Sequence, residues 1–154
     1  MSDSSNPELV AQPAEQPRVL GLDIGDRRIG VAITDALGMT AQPMFTLTRS
    51  KLRDDLKSLA RIVRKHGIRD IVAGNPIHLS GDQSAQASKA QAFAAALGEE
   101  TGITVQLWDE RMTTTEAHRH LDAAGVKPTE RKGVIDQVAA VLILESWLAA
   151  RKAG

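Results

Sequence analysis

Two apolar runs, Val19-Leu20-Gly21-Leu22-Asp23-Ile24 and Arg28-Ile29-Gly30-Val31-Ala32-Ile33, are separated only by Gly25-Asp26-Arg27. Aliphatic and β-branched runs joined by so short a Gly/Asp turn predict two antiparallel strands, at residues 18–24 and 28–34. The first strand carries a charge among its apolar residues, Asp23. An ionised carboxylate in such surroundings is costly unless a cation compensates it, and that cation is often a metal. Glu110, just after the apolar segment 103–108, and Asp136, among the apolar residues opening the last helical segment, are placed in similar surroundings. Together the three acids predict a site for divalent metal.

The rest of the chain alternates in period. Met44 to Thr48 predicts a third short strand after Pro43, extending the meander. Leu52, Leu56, Leu59 and Val63 recur at helical spacing behind Ser50, a candidate N-cap, and Gly67 supplies the stop. Asp70 to Ala73 predicts a buried strand and 83–100 an alanine-rich helix with Ala90, Phe93, Ala94 and Leu97 inward, closed by Gly102. A strand at 103–108, a short helix opened by the capping-box spacing Thr113-Thr114-Thr115-Glu116, and a last helix from about 133 to 151 complete the order. The fold class expected is α/β: a five-stranded mixed sheet, three antiparallel strands then parallel strands, flanked by helices. In such sheets, functional groups gather at the carboxyl ends of the strands.

At 154 residues the chain suits one domain, expected at 18–154 behind a polar, proline-containing tail at 1–17 that reads as disordered and lacks the apolar core of a signal peptide. The longest apolar run, Val138 to Leu144, is too short to span a bilayer. The absence of cysteine removes disulfides, zinc ribbons and thiol nucleophiles, and a cytoplasmic protein without a membrane partner is expected. With 19 basic and 19 acidic residues, contact with a polyanion has to be local. Four aromatic residues are too few for a surface that stacks unpaired bases on a row of rings, whereas contact with the phosphate backbone stays open.

Carboxylates without histidine or cysteine suit Mg²⁺ or Mn²⁺, hard cations that take oxygen donors. Two such ions about 3.5–4 Å apart serve both the attacking and the departing oxygen in phosphodiester hydrolysis. Asp23, Glu110 and Asp136 are therefore the candidate catalytic and metal-binding residues. Asp136 is expected near its helix N-terminus, where the backbone dipole favours an anion. Arg111 can clamp a phosphate, Thr113 and Thr114 can donate hydroxyls, and Lys127, Arg131 and Lys132, with Arg27 and Arg28 in the hairpin, can steer a polyanion. Each acid alone has an ordinary reading: a strand-ending aspartate, a loop glutamate paired with Arg111, a first-turn helix acid. The metal reading rests on all three.

The segments Gly21-Leu22-Asp23-Ile24-Gly25, Arg28-Ile29-Gly30-Val31-Ala32, Asp109-Glu110-Arg111-Met112-Thr113-Thr114 and Asp136-Gln137-Val138-Ala139-Ala140 together resemble the YqgF/RuvX family over about residues 18–150. Their order and spacing carry the likeness, since Gly-Leu-Asp-Ile-Gly alone is shared with sugar kinases and actin-like ATPases. The resemblance implies an RNase H-like fold and a metal-dependent nuclease related to Holliday junction resolvases. It also implies a role in 5′-end maturation of precursor 16S rRNA, part of ribosome biogenesis, with Asp23, Glu110 and Asp136 as the acids. Where the family usually has Gly-Leu-Pro after the fourth strand this chain has Gly74-Asn75-Pro76, which places Asn75 among the candidate substrate-binding residues; Asp109 is the nearest candidate for a fourth acid.

Other functions compatible with these residues are a resolvase of branched DNA, a non-catalytic module binding RNA or a transcription complex, and an ATP-binding protein. The last is disfavoured because the actin-like architecture needs two lobes. The partner expected is structured RNA or branched DNA, and the assembly a monomer or homodimer. His118 and His120, two apart on a helix, face different ways and read as surface residues, as does His78 in its loop. Trp108 and Trp147 read as packing residues, and the basic face of the 50–66 helix as solvated surface.

Overall fold

A computed structural model describes residues 16–75, 85–109 and 131–153. Its elements are β1 (Arg18–Ile24), β2 (Arg28–Thr34), β3 (Ala41–Thr48), α1 (Leu52–His66), β4 (Ile68–Asn75), α2 (Ala85–Thr101), β5 (Val105–Asp109) and α3 (Arg131–Ala153). The strands form one five-stranded sheet in the order β3-β2-β1-β4-β5. The β1/β2 and β2/β3 pairs are antiparallel, whereas β1/β4 and β4/β5 are parallel. This is the mixed sheet expected from the order of elements. The 113–125 helix expected from the capping box lies outside the described residues.

Strand alternation divides the apolar residues between two faces. On one face Leu20, Leu22 and Ile24 of β1, Ile29, Val31 and Ile33 of β2, and Ile71 and Ala73 of β4 form a core with Leu56, Leu59 and Val63 of α1 and Ala90, Phe93 and Leu97 of α2. On the other, Val19, Ala32 and Val72 pack against Ala140, Ile143, Leu144, Trp147 and Leu148 of α3. This second face is lined with small residues. A Cβ on Gly21 would stand 3.0 Å from the Leu144 Cβ and 3.2 Å from the Ala140 carbonyl oxygen, so α3 lies unusually close to the sheet.

Three local expectations need correction. Strand β3 begins at Ala41 rather than after Pro43; Pro43 sits within it, opposite Ala32 and beside a register shift. The edge of a sheet tolerates a residue without an N–H, which a central strand would not. The N-cap of α1 is Lys51, with no side-chain cap, instead of Ser50. Ser50 donates its backbone N–H (3.0 Å) and its hydroxyl (3.3 Å) to Asp55, which reaches back from inside the helix. Finally, α3 starts at Arg131, so Asp136 lies beyond the first turn, where the helix dipole has largely faded. The helix stops are as expected: Gly67 and Gly102 adopt φ of 62° and 75°, a region closed to most side chains.

Asp55 is only 2% exposed and organises the end of the sheet that carries Asp23. It also accepts from Arg49 Nε at 3.4 Å, while Arg49 Nη1 donates to the Gly25 carbonyl at 2.9 Å and the Arg49 N–H donates to the Arg27 carbonyl at 2.9 Å. The same guanidinium lies over the Phe93 ring, 4.9 Å from its centre, and Gln86 Nε2 donates to the Ile24 carbonyl at 3.2 Å. The β1–β2 turn is thus held by α1 and α2 together. Replacing Asp55 with alanine removes the acceptor of several donors, and we expect a loss of about 2–3 kcal/mol. Urea denaturation checks this: Asp55→Asn should lose less, and an Asp55→Ala curve overlying the wild type would refute the role.

Candidate active site

Three of the candidate residues, Asp23, Arg28 and Asp136, lie on the α3 face of the sheet, at the end where β1, β4 and β5 terminate. Asp23 occupies the penultimate position of β1 and pairs directly with Gly30 of β2. Residues opposite one another in an antiparallel pair share a face, so the Asp23 side chain and the hydrogen that replaces a side chain on Gly30 point the same way. What lies above Gly30 is the backbone of Asp136. A Cβ at Gly30 would overlap the Asp136 carbonyl group and stand 3.0 Å from its Cα. Since paired strand residues are about 4.5–5.5 Å apart at Cα, the Cα atoms of Asp23 and Asp136 are within about 10 Å of each other. Two acids separated by more than a hundred positions in the sequence meet over one glycine.

Neighbouring contacts hold Asp136 there. Arg28, two residues before Gly30 and on the same face, donates from Nε to Asp136 Oδ2 at 2.7 Å, with side-chain exposures of 33% and 18% for the pair. Gln137 donates from Nε2 to the hydroxyl of Thr46 at 3.0 Å, and Thr46 is the β3 residue paired with Gly30. The opening of the described part of α3 is therefore tied to both β2 and β3. Farther along, Trp108 Nε1 donates to Ser146 Oγ at 2.9 Å and Trp147 Nε1 to Gln106 Oε1 at 3.1 Å, which anchor α3 to β5. Both tryptophans are packing residues, as expected.

Asn75 and Asp109 pair at the ends of β4 and β5. Asn75 accepts a 3.4 Å hydrogen bond from Gln91 of α2, so its side chain is directed to the face opposite Asp23. Alternation along β5 places Asp109 on that opposite face too, since Trp108 is bound to α3. The structure thus brings together Asp23, Arg28 and Asp136, and not Asn75 or Asp109. Glu110, Arg111, Thr113, Thr114 and Lys127 lie outside the described residues, as do His78, His118, His120 and the side chains of Arg131 and Lys132.

The donor set suits a hard divalent cation. Carboxylates from two elements share a face; the guanidinium of Arg28 occupies Oδ2 of Asp136, which leaves Oδ1 and the Asp23 carboxylate as the oxygens for an ion. Among the described residues no cluster of three or more acids and histidines forms. Gly30, Thr46 and Gln137 were not singled out from sequence. The signal available was the series Gly21, Gly30 and Ala32, small residues facing one way on adjacent strands, which marks a helix approaching closely.

The family model described as RuvX, Holliday junction resolvase, matches residues 17–150. A relative from Myxococcus xanthus (strain DK1622), provisionally named a pre-16S rRNA nuclease, is 43% identical over 135 residues, 88% of this chain and 89% of its own. One from Syntrophus aciditrophicus (strain SB) with the same provisional name is 46% identical over 131 residues, 85% of this chain and 87% of its own. Among solved structures, Thermus thermophilus RuvC in complex with a Holliday junction substrate superposes with a TM-score of 0.58 at 14% identity, covering 90% of this chain and 97% of that one. The large terminase nuclease of phage G20c follows with a TM-score of 0.50 at 12% identity, covering 84% and 81%. These likenesses identify the fold as RNase H-like, of the RuvC kind.

Proposed function

Because this chain belongs to the RuvX family, we propose that it is a metal-dependent endonuclease that hydrolyses phosphodiester bonds in nucleic acid, acting in 5′-end maturation of precursor 16S rRNA. The observation that carries the proposal is the meeting of Asp23 and Asp136 over Gly30. Asp23 and Asp136, joined by Glu110, would hold Mg²⁺ or Mn²⁺. When bound, such ions neutralise phosphate charge and lower the pKa of a coordinated water. Asp23 projects from the end of a strand held by Arg49 and Gln86, which limits its movement. Asp136 is oriented by Arg28, and an arginine beside the acids is also placed to donate to a phosphate oxygen of the substrate. Arg111, Thr113, Thr114 and Lys132 complete the proposed substrate contacts.

The names of the relatives support the RNA substrate, while the family description supports a second reading, resolution of four-way DNA junctions. One experiment separates them. Purified protein is incubated with a precursor rRNA fragment spanning the 5′ boundary and with a four-way DNA junction, each with Mg²⁺, Mn²⁺ or EDTA. Metal-dependent cutting of the rRNA at a discrete position, with the junction left intact, is the expected result. Cutting of the junction alone would transfer the assignment to resolution, and no cutting of either with any metal would refute the nuclease.

A further inference from the structure

The solvent side of α1 carries an arrangement of charge that neither the core nor the candidate active site uses. Arg53, Lys57, Arg61, Arg64 and Lys65 are all exposed, and at about 100° per residue they fall within an arc of about 120°. Arg53, Lys57, Arg61 and Arg64 span about 16 Å along the axis. None of the five forms an ion pair among the described residues, where the pairs are Arg28–Asp136, Arg49–Asp55 and Lys89–Asp26. Only Asp54 interrupts the arc, since Asp55 is buried. In a chain with 19 basic and 19 acidic residues, five cations on one helix without an ion pair among the described residues are a local excess of positive charge.

We propose that this stripe binds the phosphate backbone of a double-stranded segment of the substrate, away from the bond that is cut. The reading rests on the proposed nuclease function for its partner class. Three observations favour duplex backbone over other anions. The helix buries its apolar side, Leu56, Leu59 and Val63, in the core, which removes the surface that a membrane-lying helix inserts. No aromatic residue lies on it to stack unpaired bases. Its beginning adjoins the β1–β2 turn, through Asp55, Arg49 and Gly25, so the stripe starts at the Asp23 end of the sheet and runs away from it. Because α1 covers the sheet face opposite Asp23, a duplex held at the site would reach the stripe by passing over this end of the sheet, and each phosphate met there would be neutralised by a cation with release of a counterion.

The test is a titration of full-length protein with a labelled long RNA stem-loop across a range of salt concentrations, without divalent metal. The variant combines Arg53→Gln, Lys57→Gln, Arg61→Gln and Arg64→Gln, and a second carries Lys at the three arginines. The slope of log K against log salt should fall in magnitude by about 3–4 for the Gln variant, with binding at about 0.1 M salt at least 10-fold weaker. The Lys variant should keep the wild-type slope, and cutting of a short duplex that cannot reach α1 should be unchanged in both. A Gln variant with wild-type slope and affinity overturns the proposal and leaves the stripe to another anion, such as an acidic protein, as does wild type that does not bind the stem-loop. Wild type that binds with the expected slope but cuts nothing under any metal refutes the nuclease and leaves the stripe standing.

Discussion

Gly30→Ala should destabilise the protein by about 3 kcal/mol or more, the upper range for overpacking, because the added methyl meets backbone rather than a movable side chain. The new Cβ would overlap the carbonyl of Asp136, and relief requires α3 to lift from the sheet. Lifting α3 strains the Arg28–Asp136 and Gln137–Thr46 contacts and loosens the packing of Ala140 and Leu144 on Gly21. For a domain of this size the melting temperature should fall by roughly 10 °C. A useful control is Gly67→Ala, where φ is 62° and no atom lies within 4 Å of the new methyl. That change costs only the left-handed conformation, about 1 kcal/mol. Calorimetry of the two variants separates collision from conformational strain, and equal losses would show that α3 does not rest on Gly30 as described. The Gly30 variant should also lose activity well beyond its loss of folded protein, since a shift of about 1 Å in a catalytic group can cost about 100-fold.

Asp23→Asn is expected to reduce the rate of cleavage by about 1000-fold or more while leaving the fold in place. An amide has the shape of the carboxylate but not its charge, and the divalent ion that the proposed site would hold supplies several kcal/mol of stabilisation to the transition state. The melting temperature should stay within a few degrees of wild type, which separates this variant from Gly30→Ala. Mn²⁺ binding followed by calorimetry should weaken in parallel with the rate. A variant that cuts at the wild-type rate would remove Asp23 from the mechanism, and with it the argument that the β1–β2 hairpin carries the site.

Most of the scaffold was legible because it rests on local rules. The aliphatic and β-branched runs of β1 and β2 and the short Gly/Asp turn between them define a hairpin wherever they occur. Likewise Leu56, Leu59 and Val63 define the buried side of α1, and Gly67 and Gly102 can take backbone angles that most residues cannot. The ends of elements were less legible, since edge position decides whether Pro43 belongs to a strand and a residue inside the helix, Asp55, replaces the expected cap at Ser50.

The sequence by itself determined the order of strands and helices along the chain, the inward residues of the first two helices, and the identity of Asp23 and Asp136 as acids in apolar surroundings. Only the tertiary structure decided that these two share one face, that Arg28 rather than a helix dipole accompanies Asp136, that Asn75 is directed to the opposite face, and that Gly30 is the contact point. The reason is the range of the forces involved. Periodicity and backbone preference act over a few residues and are written in neighbouring letters, whereas an ion pair between positions 108 apart exists only after α3 has packed on the sheet.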